Sequence, residues 1–273
     1  MSAVDGQHNQ VRRKGIYLLP NLLTTAGLFA GFYSIVAAID GNFAAAAWAI
    51  FVAMVVDGMD GRVARLTSTA SDFGKEYDSL ADMVSFGLAP AIVTYQWGVE
   101  RLSEFGAVWG RLGWLAAFLY AAAAAFRLAR FNTNAGWQDK RYFQGLASPP
   151  AAAGVASMVW LSTEYGIEGL VALVAGITIT AVAGLLMMSR FRYLSFKDIS
   201  PGHRVRFAHL LVIPLVIIVV ALEPPLMIFL LFTVYAFSGP GYWLWRRYRK
   251  LDDGSEGILE AETALDADVE DGP

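Results

Sequence analysis

The chain has no cysteine among its 273 residues. That removes disulfide scaffolds, thiolate metal sites and cysteine nucleophiles. Histidine is nearly as scarce, since His8, His203 and His209 are the whole complement, and a multi-histidine metal centre is not expected. His209, in an apolar run without an acidic neighbour, reads as a packing residue. No apolar block with a small-residue cleavage site precedes the polar, basic first eighteen residues, so a cleaved signal peptide is not expected either. Charge is thin: Asp, Glu, Lys and Arg make up 16%, where a soluble domain carries about 25%. Apolar side chains fill the place of what is missing. They reach 56%, with 8 Trp, 11 Tyr and 17 Phe, and the mean hydropathy is +0.46. A soluble fold cannot hide so much, because over half of any folded surface is already apolar. Disorder is excluded on the same grounds.

The apolar residues fall in blocks and not in alternation, which favours membrane helices over a β-barrel. About eight blocks stand out, at 19–39, 42–64, 76–98, 107–128, 147–163, 167–188, 207–222 and 225–245. Each is near the ~20 residues needed to cross ~30 Å of hydrocarbon. The expected fold is therefore an all-α polytopic membrane protein of about eight transmembrane helices. Of the 21 Lys and Arg, all but Arg101 and Arg111 fall on one side of that arrangement. The positive-inside rule then puts both termini in the cytoplasm, with the plasma (inner) membrane as the expected location. Trp97, Trp109, Trp137 and Trp245 lie near span ends, as interfacial anchors do. Residues 11–19 suit a short interfacial helix before the first crossing.

The expected organisation is a cytoplasmic segment at 1–18, a core at 19–198, two further helices at 199–250 and a disordered tail at 251–273. The tail contains Asp252, Asp253, Glu256, Glu260, Glu262, Asp266, Asp268, Glu270 and Asp271 and no base. The formal net charge of −3 is a property of that tail. The rest of the chain has more bases than acids, on the face where anionic lipid is met. Gly27 and Gly31 form a GxxxG pattern suited to close helix contact. Pro149–Pro150 and Pro224–Pro225 sit near span starts, where a missing amide is tolerated.

The most informative stretch runs from Val56 to Pro90. Asp57, Asp60, Gly61 and Ala64 recur at i, i+3, i+4 and i+7, one face of a helix. Gly74, Asp78 and Asp82 recur at i, i+4 and i+8, again one face. A short loop makes these two helices antiparallel neighbours, so the four carboxylates can converge near the cytoplasmic surface. An ionised Asp at a membrane helix centre costs at least ~2.5 kcal/mol, so it normally has a partner. Oxygen donors without His or Cys suit a hard cation such as Mg²⁺, Mn²⁺ or Ca²⁺. The alternative is buried salt bridging to Arg62, Arg65 and Lys75, but three cations do not neutralise four acids with Glu76 beside them. Arg65 offers a fork for a phosphate, and Gly61, Ala64 and Gly74 leave room against the backbone.

The run D57-x₂-D60-G61-x₂-A64-R65-x₈-G74-x₃-D78-x₃-D82 resembles the signature of the CDP-alcohol phosphotransferase family without departure. YDSLADMVSFGLAPA (77–91), RLARFN (127–132) and FQGLASPPAAAG (143–154) are similar to the serine-using branch of that family. The similarity extends from about Pro20 to Lys197 and leaves two spans outside a six-helix core. The resemblance implies that Asp57, Asp60 and Asp78 hold metal, and that Asp82 completes a second metal site and acts as general base. It implies two divalent ions per subunit, Mg²⁺ or Mn²⁺, with Ca²⁺ as a surrogate. It carries the CDP-diacylglycerol pocket onto Gly61, Arg65 and Ser71, with Ala64 and Gly74 lining it. Asn21 and Thr24 also match a nucleotide-contacting element, with helix capping as the alternative.

The implied reaction joins L-serine to CDP-diacylglycerol and releases CMP, in a homodimer that contacts membrane lipid and no nucleic acid. A serine acceptor needs a cation for its carboxylate. Arg127, Arg130, Asn132 and Arg190 are candidates, with ordinary positive-inside anchoring as their other reading. The same cluster would suit glycerol 3-phosphate or inositol phosphate, so serine rests on the resemblance. A cation transporter is the rival of another class, and it predicts acids spread through the membrane depth or repeated in two halves.

Overall fold

A computed structural model describes residues 3–67, 71–133, 142–194 and 220–270. Helix α1 (Ala3–Ile39) turns at Gly41 into α2 (Phe43–Thr67), which runs back along it. Next comes one helical path of changing pitch. It consists of α3 (Asp72–Asp82), a π-helical segment (Met83–Leu88), α4 (Ala89–Thr94), a second π segment (Tyr95–Val99) and α5 (Glu100–Glu104). Pro90 accounts for the first widening. Its ring crowds the carbonyl four residues earlier and it has no amide to offer in return. Then follow α6 (Ala107–Thr133), α7 (Ser148–Glu164), α8 (Leu170–Met188) and α9 (Pro224–Glu270).

Among the described residues, five helical stretches are long and apolar enough to cross a membrane: Pro20–Ile39, Phe43–Val63, Ala107–Thr133, Leu170–Met188 and Pro224–Tyr248. The protein is a polytopic membrane protein. The block expected at 76–98 is the composite path just described, interrupted by its π segments. The block at 147–163 is α7, whose 17 residues are buried along most of their length. Most of the block expected at 207–222 lies outside the described residues, as do Trp137 and His209.

Three expectations are altered. Residues 11–19 do not form a separate interfacial helix, because α1 passes through Pro20 without a break. The backbone of α9 is helical as far as Glu270, where composition pointed to disorder; Ala, Leu and Glu in that stretch are strong helix formers. Trp97 is not an interfacial anchor. It is 2% exposed and packs in the core, opposite Gly176 of α8. Trp245, 55% exposed near the end of the last span, fits the anchor reading.

Alanine dominates the helix contacts. Ala46, Ala47 and Ala53 of α2 meet Ala152, Ala153 and Ala156 of α7 in one core, all of them fully buried. Small residues let helix backbones approach, which is how membrane helices gain packing without a hydrophobic drive between them. Phe29, Phe32, Val55, Phe118 and Phe126 point outward, where lipid would cover them. A second core joins α6, α7 and α8 around Tyr120, Met187 and Tyr193. Two short strands, β1 (Tyr142–Gln144) and β2 (Arg192–Leu194), pair antiparallel with Phe143 opposite Tyr193. They tie the start of α7 to the end of α8. Apolar blocks alone gave no sign of them.

Of the two GxxxG glycines, one does the close packing. A Cβ on Gly31 would stand 2.7 Å from Ser85 Cα, whereas one on Gly27 would meet Val56 at an ordinary 3.7 Å. Gly31→Ala is expected to cost about 1–3 kcal/mol by forcing α1 off the π segment. Gly27→Ala should stay within about 0.5 kcal/mol. Thermal unfolding of the two variants in detergent checks this, and equal losses would contradict the assignment.

Candidate active site

The acids meet because α1, α2 and α3 come together at one end of the bundle. Ser34 Oγ donates to the Ala46 carbonyl at 2.8 Å near the turn and fixes α1 against α2. At the opposite end of the same pair, the single proton of Thr24 Oγ1 is shared between Asp60 Oδ2 at 3.0 Å and the Pro20 carbonyl at 3.1 Å. Helix α3 starts on Ser71, whose Oγ accepts the Gly74 amide at 3.0 Å. Thr25 Oγ1 and Tyr77 Oη, 2.9 Å apart, pin that helix to α1. A Cβ on Gly74 would lie 3.3 Å from Asn21 Oδ1, so only glycine keeps this approach relaxed.

One carboxylate oxygen from each of Asp57, Asp60 and Asp78 lies within 4.8 Å of the others. With Asp82, Thr24 and Ser85 they line one narrow cleft. Asp60 is 5% exposed and lies beside the Asp78 carboxyl. Two ionised carboxylates do not keep such a contact without a proton or a cation between them. The donor set is all oxygen, as a hard divalent cation requires. The residues present therefore fit such an ion.

Asp82 stands one turn beyond Asp78, outside the close trio but in the same cleft. The charges that face it are Asp57, Asp78, Arg127 and Asp60. Two of the cations that salt bridging would need are placed otherwise. Arg62 is exposed, and Lys75 Nζ donates to the Asn132 carbonyl at 3.5 Å. The side chains of Ala64 and Arg65 lie outside the described residues.

The four candidates for an acceptor carboxylate separate. Arg127 is the positive charge facing Asp82; it donates from one terminal nitrogen to the fully buried Ser148 Oγ and keeps a buried Nε with no hydrogen-bond partner. Arg130 instead donates to the backbone, to Gln144 O at 2.8 Å and Met188 O at 3.5 Å. It closes the end of α8 as a cation at a helix C-terminus does. Asn132 Nδ2 donates to Ser79 Oγ at 2.9 Å. Arg190 is exposed past the end of α8 and is not among the charges facing Asp82. The helix-capping alternative for Asn21 and Thr24 is overturned, because both lie in mid-helix and Thr24 serves Asp60.

Sequence reasoning did not single out Ser148 or Ser85. Ser85 was legible as a small polar residue three positions after Asp82, and its Oγ donates to the Gly27 carbonyl at 3.1 Å. Ser148 had no such signal, since its partner comes from another helix.

The sequence profile of the CDP-alcohol phosphatidyltransferase family matches residues 17–188. A Helicobacter pylori protein (strain J99) named CDP-diacylglycerol–serine O-phosphatidyltransferase is 40% identical over 187 residues, covering 68% of this chain and 75% of its own length. A Mycobacterium leprae protein of the same name is 37% identical over 160 residues, 57% of this chain and 51% of its own. The archaetidylserine synthase of Methanothermobacter thermautotrophicus is 32% identical over 177 residues, 64% of this chain and 69% of its own.

The acidic trio makes a direct prediction. Mn²⁺ binding to the purified protein, followed by electron paramagnetic resonance, should weaken by more than about tenfold in Asp60→Asn or Asp78→Asn. Thr24→Val, which removes only the group orienting Asp60, should weaken it by about tenfold. Undiminished binding in the two Asn variants would mean that the trio is not a cation site.

Proposed function

The chain belongs to the CDP-alcohol phosphatidyltransferase family, and we propose that it makes phosphatidylserine and CMP from CDP-diacylglycerol and L-serine. The observation that carries the reading is the half-buried Asp57–Asp60–Asp78 trio with Asp82 and Arg127 beside it. The serine in the names of relatives 36–40% identical supports the choice of acceptor.

Asp57, Asp60 and Asp78 would hold one divalent cation, and Asp82 would complete a second site. Bound there, Mg²⁺ or Mn²⁺ supplies the positive charge that offsets the diphosphate and the departing CMP. The chain's own residues do the rest. Asp82 takes the proton of the serine hydroxyl as that oxygen bonds to the diacylglycerol-side phosphorus and the bond to the CMP oxygen breaks. Thr24 holds Asp60 in orientation. The nucleotide is assigned to Asn21, Thr24, Gly61, Ala64, Arg65, Ser71 and Gly74.

Among the basic candidates, Arg127 is the one whose surroundings suit the serine carboxylate, because its Nε has no other partner and Asp82 is its neighbour. Arg130 and Asn132 support it by tying α6 to the β1 strand, the end of α8 and α3. Eight crossings, six in the family core and two after it, would set this end of the bundle at the cytoplasmic face. Nucleotide and serine arrive there from water, and the acyl chains arrive from the bilayer. The protein is further assigned as a homodimer.

A panel assay tests the reading: purified protein in detergent, CDP-diacylglycerol, Mn²⁺ or Mg²⁺, and a series of alcohols, with CMP measured. CMP release with serine is expected. No CMP with any alcohol would defeat the enzyme assignment, and CMP only with glycerol 3-phosphate or inositol phosphate would defeat serine alone. Asp82→Asn should abolish turnover while CDP-diacylglycerol still binds, and robust turnover in that variant would remove Asp82 as the base. Arg127→Lys keeps the charge but loses the fork, so KM for serine should rise about tenfold. Arg130→Ala should act mainly on stability. A KM effect confined to Arg130 would reverse the two roles.

A further inference from the structure

A proline inside a helix leaves the carbonyl four residues earlier without its donor. Pro90, in α4, does this to Phe86, within the π segment that begins directly after Asp82. Phe86 is 1% exposed. Where no water reaches, a bare carbonyl costs about as much as a lost hydrogen bond, so another group must supply the donor. Tyr120 supplies it. Its hydroxyl, carried by α6 and fully buried, donates to the Phe86 carbonyl at 3.0 Å.

The same solution recurs elsewhere in the molecule. Pro240 lies inside α9, and the carbonyl it frees, that of Ala236, accepts the Tyr193 hydroxyl at 2.9 Å. The two tyrosines differ in what surrounds them. Tyr193 joins β2 to α9. Tyr120 lies seven residues before Arg127 on one face of α6, and Arg127 faces Asp82. Helix α6 thus holds the Asp82-bearing path by a hydroxyl on the turn after Asp82, with the Arg127 guanidinium as a charge facing Asp82 from the same helix. Helix α1 holds that turn from its other side, through Ser85 Oγ and the Gly27 carbonyl at 3.1 Å.

We infer that Tyr120 is a positioning residue for the reaction: by standing in for the Pro90 amide at the Phe86 carbonyl, it holds the wide turn after Asp82 in one register. It thereby sets the Asp82 carboxylate against Arg127 and the acidic trio. The inference deepens the proposed activity and rests on it for its kinetic readout. The hydrogen-bond exchange itself stands apart from that activity.

The test is a double-mutant cycle on Tyr120→Phe and Pro90→Ala in the full-length protein. Tyr120→Phe keeps the ring and removes the donor; Pro90→Ala returns an amide to the same carbonyl. Tyr120→Phe alone is expected to lower kcat at least tenfold while KM for CDP-diacylglycerol stays within twofold, a split that general loosening would not produce. In the Pro90→Ala background the loss from Tyr120→Phe should shrink at least fivefold. Unchanged kcat in the single variant, or equal losses in the two backgrounds, would overturn the inference.

Mn²⁺ affinity, measured on the same four proteins, reads the placement of Asp82 without any turnover. The same pattern is expected there: weaker binding in Tyr120→Phe, restored in the double variant. If the wild type turns over no alcohol, the proposed activity fails. Wild-type Mn²⁺ affinity in Tyr120→Phe would then overturn the positioning role separately. Should Tyr120→Phe alone fail to fold, the double variant compared with Pro90→Ala decides, and a kcat more than fivefold below that of Pro90→Ala contradicts the inference.

Discussion

Three carboxylates within 4.8 Å of one another, two on the apolar α2 and one on α3, are the constraint on which the rest of the structure depends. A single ionised Asp at a membrane helix centre costs at least ~2.5 kcal/mol, and its like-charged neighbours add repulsion. Such an arrangement persists only where positive charge is supplied to it. The chain supplies little in the described part of the site: Arg127 faces Asp82, while Arg62 and Lys75 are placed elsewhere. A bound divalent cation would supply the positive charge that is missing.

The surrounding fold keeps the carboxylates in place with small residues and borrowed hydrogen bonds. Gly31 brings α1 onto Ser85, and the alanines of α2 and α7 bring α2 into the core. Asp78 and Asp82 ride on a helix whose pitch changes immediately afterwards, so their direction depends on what holds that change. Ser85 and Tyr120 hold it from two sides. The β1–β2 pair and Arg130 fasten the ends of α6, α7 and α8, which fixes Arg127 and Ser148 relative to Asp82.

The four aspartates were legible because helical spacing within one hairpin is a local property. Asp57 and Asp60, or Asp78 and Asp82, share a face whatever packs around them. The polytopic helical character was legible from composition for a similar reason. What sequence periodicity could not deliver was contact between distant helices. Arg127 and Arg130 look equivalent in RLARFN, yet one lies beside Asp82 and the other holds backbone carbonyls. That difference depends on a strand pair absent from any hydropathy pattern. Trp97 at a block end resembled an anchor, but α8 presents Gly176 to it and draws it into the core. Pro90 did announce a lost helical bond, although nothing local identified Tyr120 as the group that replaces it.

A family signature at fixed spacing and a geometry that needs positive charge point to one chemistry, in which acidic side chains gather cations around a lipid-linked diphosphate. The most direct measurement is diffraction at the manganese absorption edge from crystals grown with Mn²⁺ and CDP-diacylglycerol. Anomalous peaks are predicted among the carboxylates of Asp57, Asp60, Asp78 and Asp82, with the diphosphate against them. Manganese bound elsewhere, with those four carboxylates paired only to Lys or Arg, would contradict it.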